Sequence, residues 1–107
     1  PFSDRTVTPS YVEDVAAASC HLVEMRAPFG LYHCVNSDAT TWEALTRYAA
    51  DILGQPQSLI EPVQMAGLTL RVPRPLNAAL SNAKLIAAGV PMPTWRDAIA
   101  RYIDVLR

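Results

Sequence analysis

Apolar residues recur at helical spacing in four stretches of the chain and gather into short strand-like runs in two others. In the first helical stretch, Tyr11, Val15, Ala18 and Leu22 form one stripe, with Val12, Ala16, Ser19 and Val23 beside it, which predicts a helix near residues 11–25. Thr8, Pro9 and Ser10 supply a hydroxyl cap and a proline suited to a first turn, and Glu13 and Asp14 fall near the positive end of the dipole. Most of this helix's circumference is apolar or small, which calls for cover on more than one side. A short domain has few layers to supply that cover, so part of it is expected to lie outside this chain.

Ala27, Pro28, Phe29 and Gly30 end the helical pattern, and the run LYHCV from Leu31 to Val35 reads as a strand. After the polar turn Asn36, Ser37 and Asp38, Thr40 with Glu43 has capping-box spacing. Trp42, Leu45, Ala49 and Ile52 then predict a helix near 41–53, stopped by Gly54. Ser58 to Val63 reads as a second strand, with Pro62 marking an edge or an end. Strand, helix and strand in this order predict a βαβ unit, with parallel strands near 31–35 and 58–63 joined by a right-handed crossover. Two more helices follow, one near 81–88 stopped by Gly89, the other near 95–106 opened by Thr94 with Asp97. The expected fold class is α/β, a small mixed domain spanning residues 1–107.

At 107 residues the chain is long enough for one domain burying about two thirds of its unfolded surface. Half the residues are apolar and the net charge is −1, which argues against disorder and against an electrostatic nucleic-acid binder. The charge is unevenly placed: residues 1–53 hold three arginines against seven acids, and residues 54–107 hold six cations against three acids. From Pro62 to Trp95 there is no Asp or Glu at all, yet Arg71, Arg74 and Lys84 fall there. Pro73 and Pro75 stiffen the backbone on either side of Arg74 and so aim its guanidinium, whose planar fork suits a phosphate or carboxylate. Set against this, any one of these cations taken singly is more simply a solvated or paired surface charge.

Cys20 and Cys34 lie within apolar patterns and read as small buried hydrophobes of a reduced protein, too few for a thiolate metal site. His21 and His33 stand twelve apart on different elements, which gives no paired-ligand spacing, and no metal is expected. No apolar run reaches membrane-spanning length, and PFSDR lacks the basic and apolar regions of a signal peptide, so a soluble cytoplasmic protein is expected. The glycines Gly30, Gly54, Gly67 and Gly89 are too far apart for a dinucleotide fingerprint or a P-loop. No nucleophile elbow or Ser, His, acid set is recognisable, so no catalytic or cofactor-binding residue is assigned.

The segments DRTVTPSYVEDVAAA, GLYHCVNSDATTWEALTRYAADILG, RPLNAALSNAKL and PTWRDAIARYI together resemble the C-terminal part of the extended short-chain dehydrogenase/reductases, especially the dTDP-4-dehydrorhamnose reductase branch. The resemblance covers Asp4 to Arg107. It implies a substrate-binding lobe beside an N-terminal NAD(P)-binding Rossmann part, with a nucleotide-sugar held between them for reduction or epimerisation. It places Arg74 and Pro75, as the family's RP motif, on the substrate side, with Asn77 assisting. Ala78 replaces a serine common in the family, and Ser10 replaces the usual threonine. The family's tyrosine and lysine pair and its glycine-rich turn are not in these residues, so NAD(P) is expected only in a full-length parent. The implied partners are the nucleotide-sugar and the missing Rossmann part; neither nucleic acid nor membrane is expected, and the apolar first helix is expected to drive self-association of the chain alone. The competing reading is a non-catalytic interaction or regulatory domain that retains the lobe's fold, which an in-frame stop upstream would favour.

Overall fold

A computed structural model describes residues 1–107. The helices fall where the periodicity puts them: α1 Val12–Glu24, α2 Trp42–Leu53, α3 Ala83–Ala87 and α4 Trp95–Leu106. Two short strands, β1 Thr6–Val7 and β2 Thr40–Thr41, pair antiparallel with Val7 opposite Thr40. On its other side β1 forms a parallel bridge to Asn77, the Thr6 N–H donating to the Leu76 carbonyl and the Ala78 N–H to the Thr6 carbonyl. The domain is therefore mixed α/β, with β1 at the centre of its small sheet.

The expected βαβ unit is not formed. Leu31 to Val35 makes no backbone-to-backbone hydrogen bond, and Gln57–Leu59 is a turn of 3-10 helix rather than a strand. The Gln57 side chain causes the difference, because its amide donates to the Arg47 carbonyl and to Asp51 Oδ1 and so winds the segment back onto α2. Pro62 removes one ladder donor, and Val63 turns instead to the amino-terminal strand, bridging Phe2 in parallel. What remains of the first predicted strand is a run whose partner strand is not among these residues.

The helix ends depart from expectation in detail. The α1 cap is Tyr11, which has no side-chain cap bond; the Tyr11 N–H donates to Asn36 Oδ1 at 2.8 Å, and the Thr8 hydroxyl accepts from the Leu80 N–H. The α2 cap is Thr41 rather than Thr40, its hydroxyl accepting from the Ala44 N–H at 3.1 Å, while Glu43 pairs with Arg47. Thr94 caps α4 as expected, accepting from Asp97 N–H. Gly54 closes α2 at φ 67°, in the left-handed region that its lack of a Cβ permits.

One apolar cluster joins Ala18 of α1, Leu85 of α3, Val90 and Met92, with Leu22, Tyr32 and Cys34 packed against it. A second contact packs α2 on α4, where Tyr48 and Trp95 meet edge to face at 5.5 Å. Ala18 is the one buried residue of α1; Val12 and Val23 stand 74% and 78% exposed, and Cys20, expected to be buried, lies on the open side. Asn36, 1% exposed, links the layers by donating to Asp14 Oδ2 at 2.7 Å and to the Pro93 carbonyl at 3.2 Å.

Candidate anion-binding cleft

The amino-terminal thread positions the basic stretch. The Asp4 carboxylate accepts from the Met65 N–H at 2.7 Å and the Ala66 N–H at 3.0 Å, fixing a 3-10 turn at Met65–Gly67. These backbone donors hold its carboxyl below the usual range by favouring the charged form. Two residues on, Thr6 pins Leu76 and Ala78. The intervening loop, with Arg71 and Arg74, is thus tied down at both ends by residues that flank Arg5. A cleft of about 450 Å³ opens there, lined by Phe2, Arg5, Leu70, Arg71, Val72 and Arg74.

Three arginines and no acidic residue line this cleft. None of the three arginines takes part in an ion pair, since the paired arginines are Arg47 and Arg101. Arg5 is half-buried, and its Nε is shut off from solvent without a hydrogen-bond partner. A buried unpaired donor of this kind is costly, by about 1–3 kcal/mol. The arrangement offers planar, multidentate donors to an anion.

Of the residues expected at the site, Arg74 lines the cleft, while Pro75 and Asn77 follow it along an exposed edge. Asn77 Oδ1 accepts from the Ala79 N–H at 3.1 Å, so its oxygen is already used within the turn. Lys84 does not line the cleft; its ammonium lies 4.5 Å from the centre of the Tyr32 ring. Sequence reasoning missed Arg5, because no spacing rule connects residue 5 with residues 71 and 74. The only local hint was a basic residue beside Asp4 in a segment otherwise poor in cations.

The remaining cavities have a different character. The largest, about 620 Å³, lies where α1 ends, among Leu22, Val23, Pro28, Phe29 and Tyr32, with Arg26 as its only charged residue. Another, of about 310 Å³, between Tyr11 and α4, has no ionic lining. No three His, Cys, Asp or Glu side chains lie close enough together to hold a metal ion. The glycines do not make a dinucleotide cradle: Gly54 and Gly89 follow helix ends, Gly67 faces open space, and a Cβ at Gly30 would meet Lys84 Nζ at 2.7 Å. No helix is long and apolar enough to cross a membrane.

Comparison with known proteins gives a consistent picture. The chain is 29% identical over 102 residues to a dTDP-4-dehydrorhamnose reductase of Streptomyces griseus, covering 94% of this chain and 34% of that protein. It is 28% identical over 102 residues to the spore coat polysaccharide biosynthesis protein SpsK of Bacillus subtilis, covering 95% of this chain and 35% of that protein. It thus spans about a third of the length of these relatives. In fold it superposes on the crystal structure of a Clostridium acetobutylicum dTDP-4-dehydrorhamnose reductase with a TM-score of 0.86 at 20% identity, over 98% of this chain and 37% of the other. The Bacillus anthracis dTDP-4-dehydrorhamnose reductase, solved in complex with NADP, gives a TM-score of 0.81 at 19% identity, over 97% and 36%. The family described as the RmlD substrate binding domain matches residues 2–107, and the chain belongs to that family.

Proposed function

We propose that this chain is the C-terminal substrate-binding lobe of an NAD(P)-dependent nucleotide-sugar reductase, of the dTDP-4-dehydrorhamnose reductase kind, or epimerase. The observation that carries the reading is an acid-free arginine cleft, held open by Asp4 and Thr6, in a chain of the substrate-binding family. In this reading Arg74 faces the diphosphate or sugar, with Pro75 and Asn77 shaping the edge it approaches.

In this reading the nicotinamide belongs to a companion Rossmann part. That part would dock where this chain is open: the exposed side of α1, Phe29 and Leu31 at 107% and 73% exposure, and the Leu31 to Cys34 backbone, which makes no backbone-to-backbone hydrogen bond. An extended run with free backbone donors and acceptors can join a neighbouring sheet edge. The division of labour is then binding and orientation by this lobe, and hydride transfer by the other.

The test uses the full-length protein, following reduced nicotinamide consumption with a nucleotide-linked 4-keto sugar. Arg74→Ala should weaken substrate affinity roughly ten- to a hundredfold, the loss of one charge-assisted contact. Arg74→Lys should recover only part, because an ammonium cannot reproduce two parallel donors. Unchanged affinity together with a lowered melting temperature would make Arg74 a structural residue and end this reading.

A further inference from the structure

We infer that Asp4 is a positioning residue for substrate: its carboxylate pinches shut the neck of the loop that carries Arg71 and Arg74. The inference rests on the reading above, in which Arg74 meets the substrate, and adds to it the side chain that sets where Arg74 stands.

Residues 4, 6 and 8 alternate along the amino-terminal thread, and each holds the later segment. The Asp4 carboxylate takes the Met65 and Ala66 N–H groups at 2.7 and 3.0 Å, the Thr6 backbone holds Leu76 and Ala78, and the Thr8 hydroxyl takes the Leu80 N–H. From Thr6 to Thr8 the two segments advance nearly in step. Between Asp4 and Thr6 they do not: thread residues no more than about 7 Å apart stand against the whole stretch from Ala66 to Leu76. The surplus is thrown out as a surface loop with its ends drawn together.

Little inside that loop fixes it. Thr69 to Pro75 makes no backbone-to-backbone hydrogen bond, and of these residues only Leu70 is even half-buried. Pro73 and Pro75 stiffen the run around Arg74, so a shift at one end is passed along rather than absorbed. Where the arginines stand therefore depends on the two ends.

The ends are held differently. At Leu76 the ties are main-chain bonds of β1, which do not depend on which side chains are present. At Ala66 the hydrogen bonds come from one carboxylate, whose two oxygens take two adjacent N–H groups at once. Met65 is buried at 4% exposure and keeps the turn close to the domain, but the two bonds are what orient it. Without them the next hydrogen-bonded tie upstream is Val63, to Pro1 and Ser3, and the neck slips back past the 3-10 turn. Loop closure depends only weakly on length, so the fold loses little while the arginines lose their placement. A misplacement of about 1 Å, caused far from the chemistry, is enough to cost on the order of a hundredfold.

The experiment is steady-state kinetics of the full-length protein with a nucleotide-linked 4-keto sugar, together with hydrogen exchange of the Met65 and Ala66 amides in the same protein. Asp4→Ala should raise KM roughly tenfold and leave kcat within about twofold, because the disturbed contact is made equally in ground and transition states. It should also speed exchange at both amides about tenfold or more. Asp4→Asn, with one accepting oxygen in place of two, should fall between, and it carries the test if Asp4→Ala does not fold. Asp4→Ala combined with Arg74→Ala should be no worse than Arg74→Ala alone, since both forfeit the same contact. Thr94→Ala is the control, because it loosens the start of α4 and touches no part of the loop, and its KM should match the parent's. Unchanged exchange, faster exchange with unchanged KM, a KM rise shared by Thr94→Ala, or Asp4 and Arg74 effects that multiply would each overturn the positioning role and leave the substrate reading standing. Arg74→Ala without effect on KM would instead sink the substrate reading, and this role with it.

Discussion

Asn36 is the residue on which most polar bonds of the interior converge. Its oxygen accepts from Tyr11 N–H, and its amide reaches Asp14 and the Pro93 carbonyl. Replacing it with alanine leaves the Tyr11 donor and part of the Asp14 carboxylate unsatisfied, for an expected loss of about 1–3 kcal/mol in urea denaturation. Asp14 also accepts from Arg101 at 2.6 Å, and Arg101 holds Asp97 at 2.8 Å. Burial pushes the Asp14 carboxyl up, but the bonds from Arg101 and Asn36 outweigh it and the net shift is downward. A carboxyl that titrates lower in the folded state stabilises the fold above its unfolded value, near pH 4, and this contribution disappears as pH falls through the lowered value. Stability should therefore decline on acidification from about pH 4, and Asp14→Asn should flatten that decline while lowering stability at neutral pH. The sequence showed Asn36 only as a turn residue. Its bonding requires a register between residues 14, 36 and 93 that no local pattern encodes.

Caps and stripes were the legible part of the elements. Thr94, Gly54 and Gly89 stand at the helix ends that their chemistry predicts, and the four helices lie within the predicted spans. Pairing was not legible, since LYHCV shows that a segment suits a strand and not which backbone lies beside it. Tyr32 and Cys34 do pack on the core, as an extended run with one covered side would. α3 illustrates how little holds a short element. It has five residues, and Leu85, at 0% exposure, is its only buried one. Leu85→Ala should cost about 2–5 kcal/mol through the cavity it leaves, while Thr94→Ala should cost about 1 kcal/mol through its lost cap. Both are read from chemical denaturation midpoints, and an effect of Leu85→Ala no larger than the cap's would mean that the cluster does not hold α3 in place.

The chain as a whole is open. Its accessible surface is 7068 Å², whereas a folded monomer of 11.7 kDa is expected to expose about 5,900 Å². Measured against about 17,000 Å² for the extended chain, it buries about 58%, short of the two thirds expected from length. Its radius of gyration is 15.9 Å, against about 13 Å for a compact domain of this size, and its thinnest dimension is 20 Å. The excess surface is on the scale of one side of a protein interface, about 800 Å². In the absence of a companion, the apolar strip with Val12, Val23, Phe29 and Leu31 should make the chain self-associate, giving a dimer or larger species in sedimentation; a clean monomer at high concentration would count against an uncovered face. Fluorescence titration should find no saturable binding of NADH or NADPH, because no glycine turn here approaches a pyrophosphate. Composition could not show this openness, as half-apolar content fits a closed core and an uncovered slab equally well.

The thread at Asp4 to Thr8 also sets an order of events during synthesis. It leaves the ribosome long before its partners: Met65 for Asp4, Leu76 for Thr6, and Leu80 for Thr8, 72 positions on. At about 5–20 residues per second, Thr8 waits roughly 4–14 s before Leu80 exists to meet it. Contacts of such sequence separation make folding slow, because loop closure must precede their reward. The arginine cleft is consequently among the last features of this chain to assemble, and β1, which can pair with β2 earlier, keeps its other edge unpaired until the loop that bears Arg71 and Arg74 has been made.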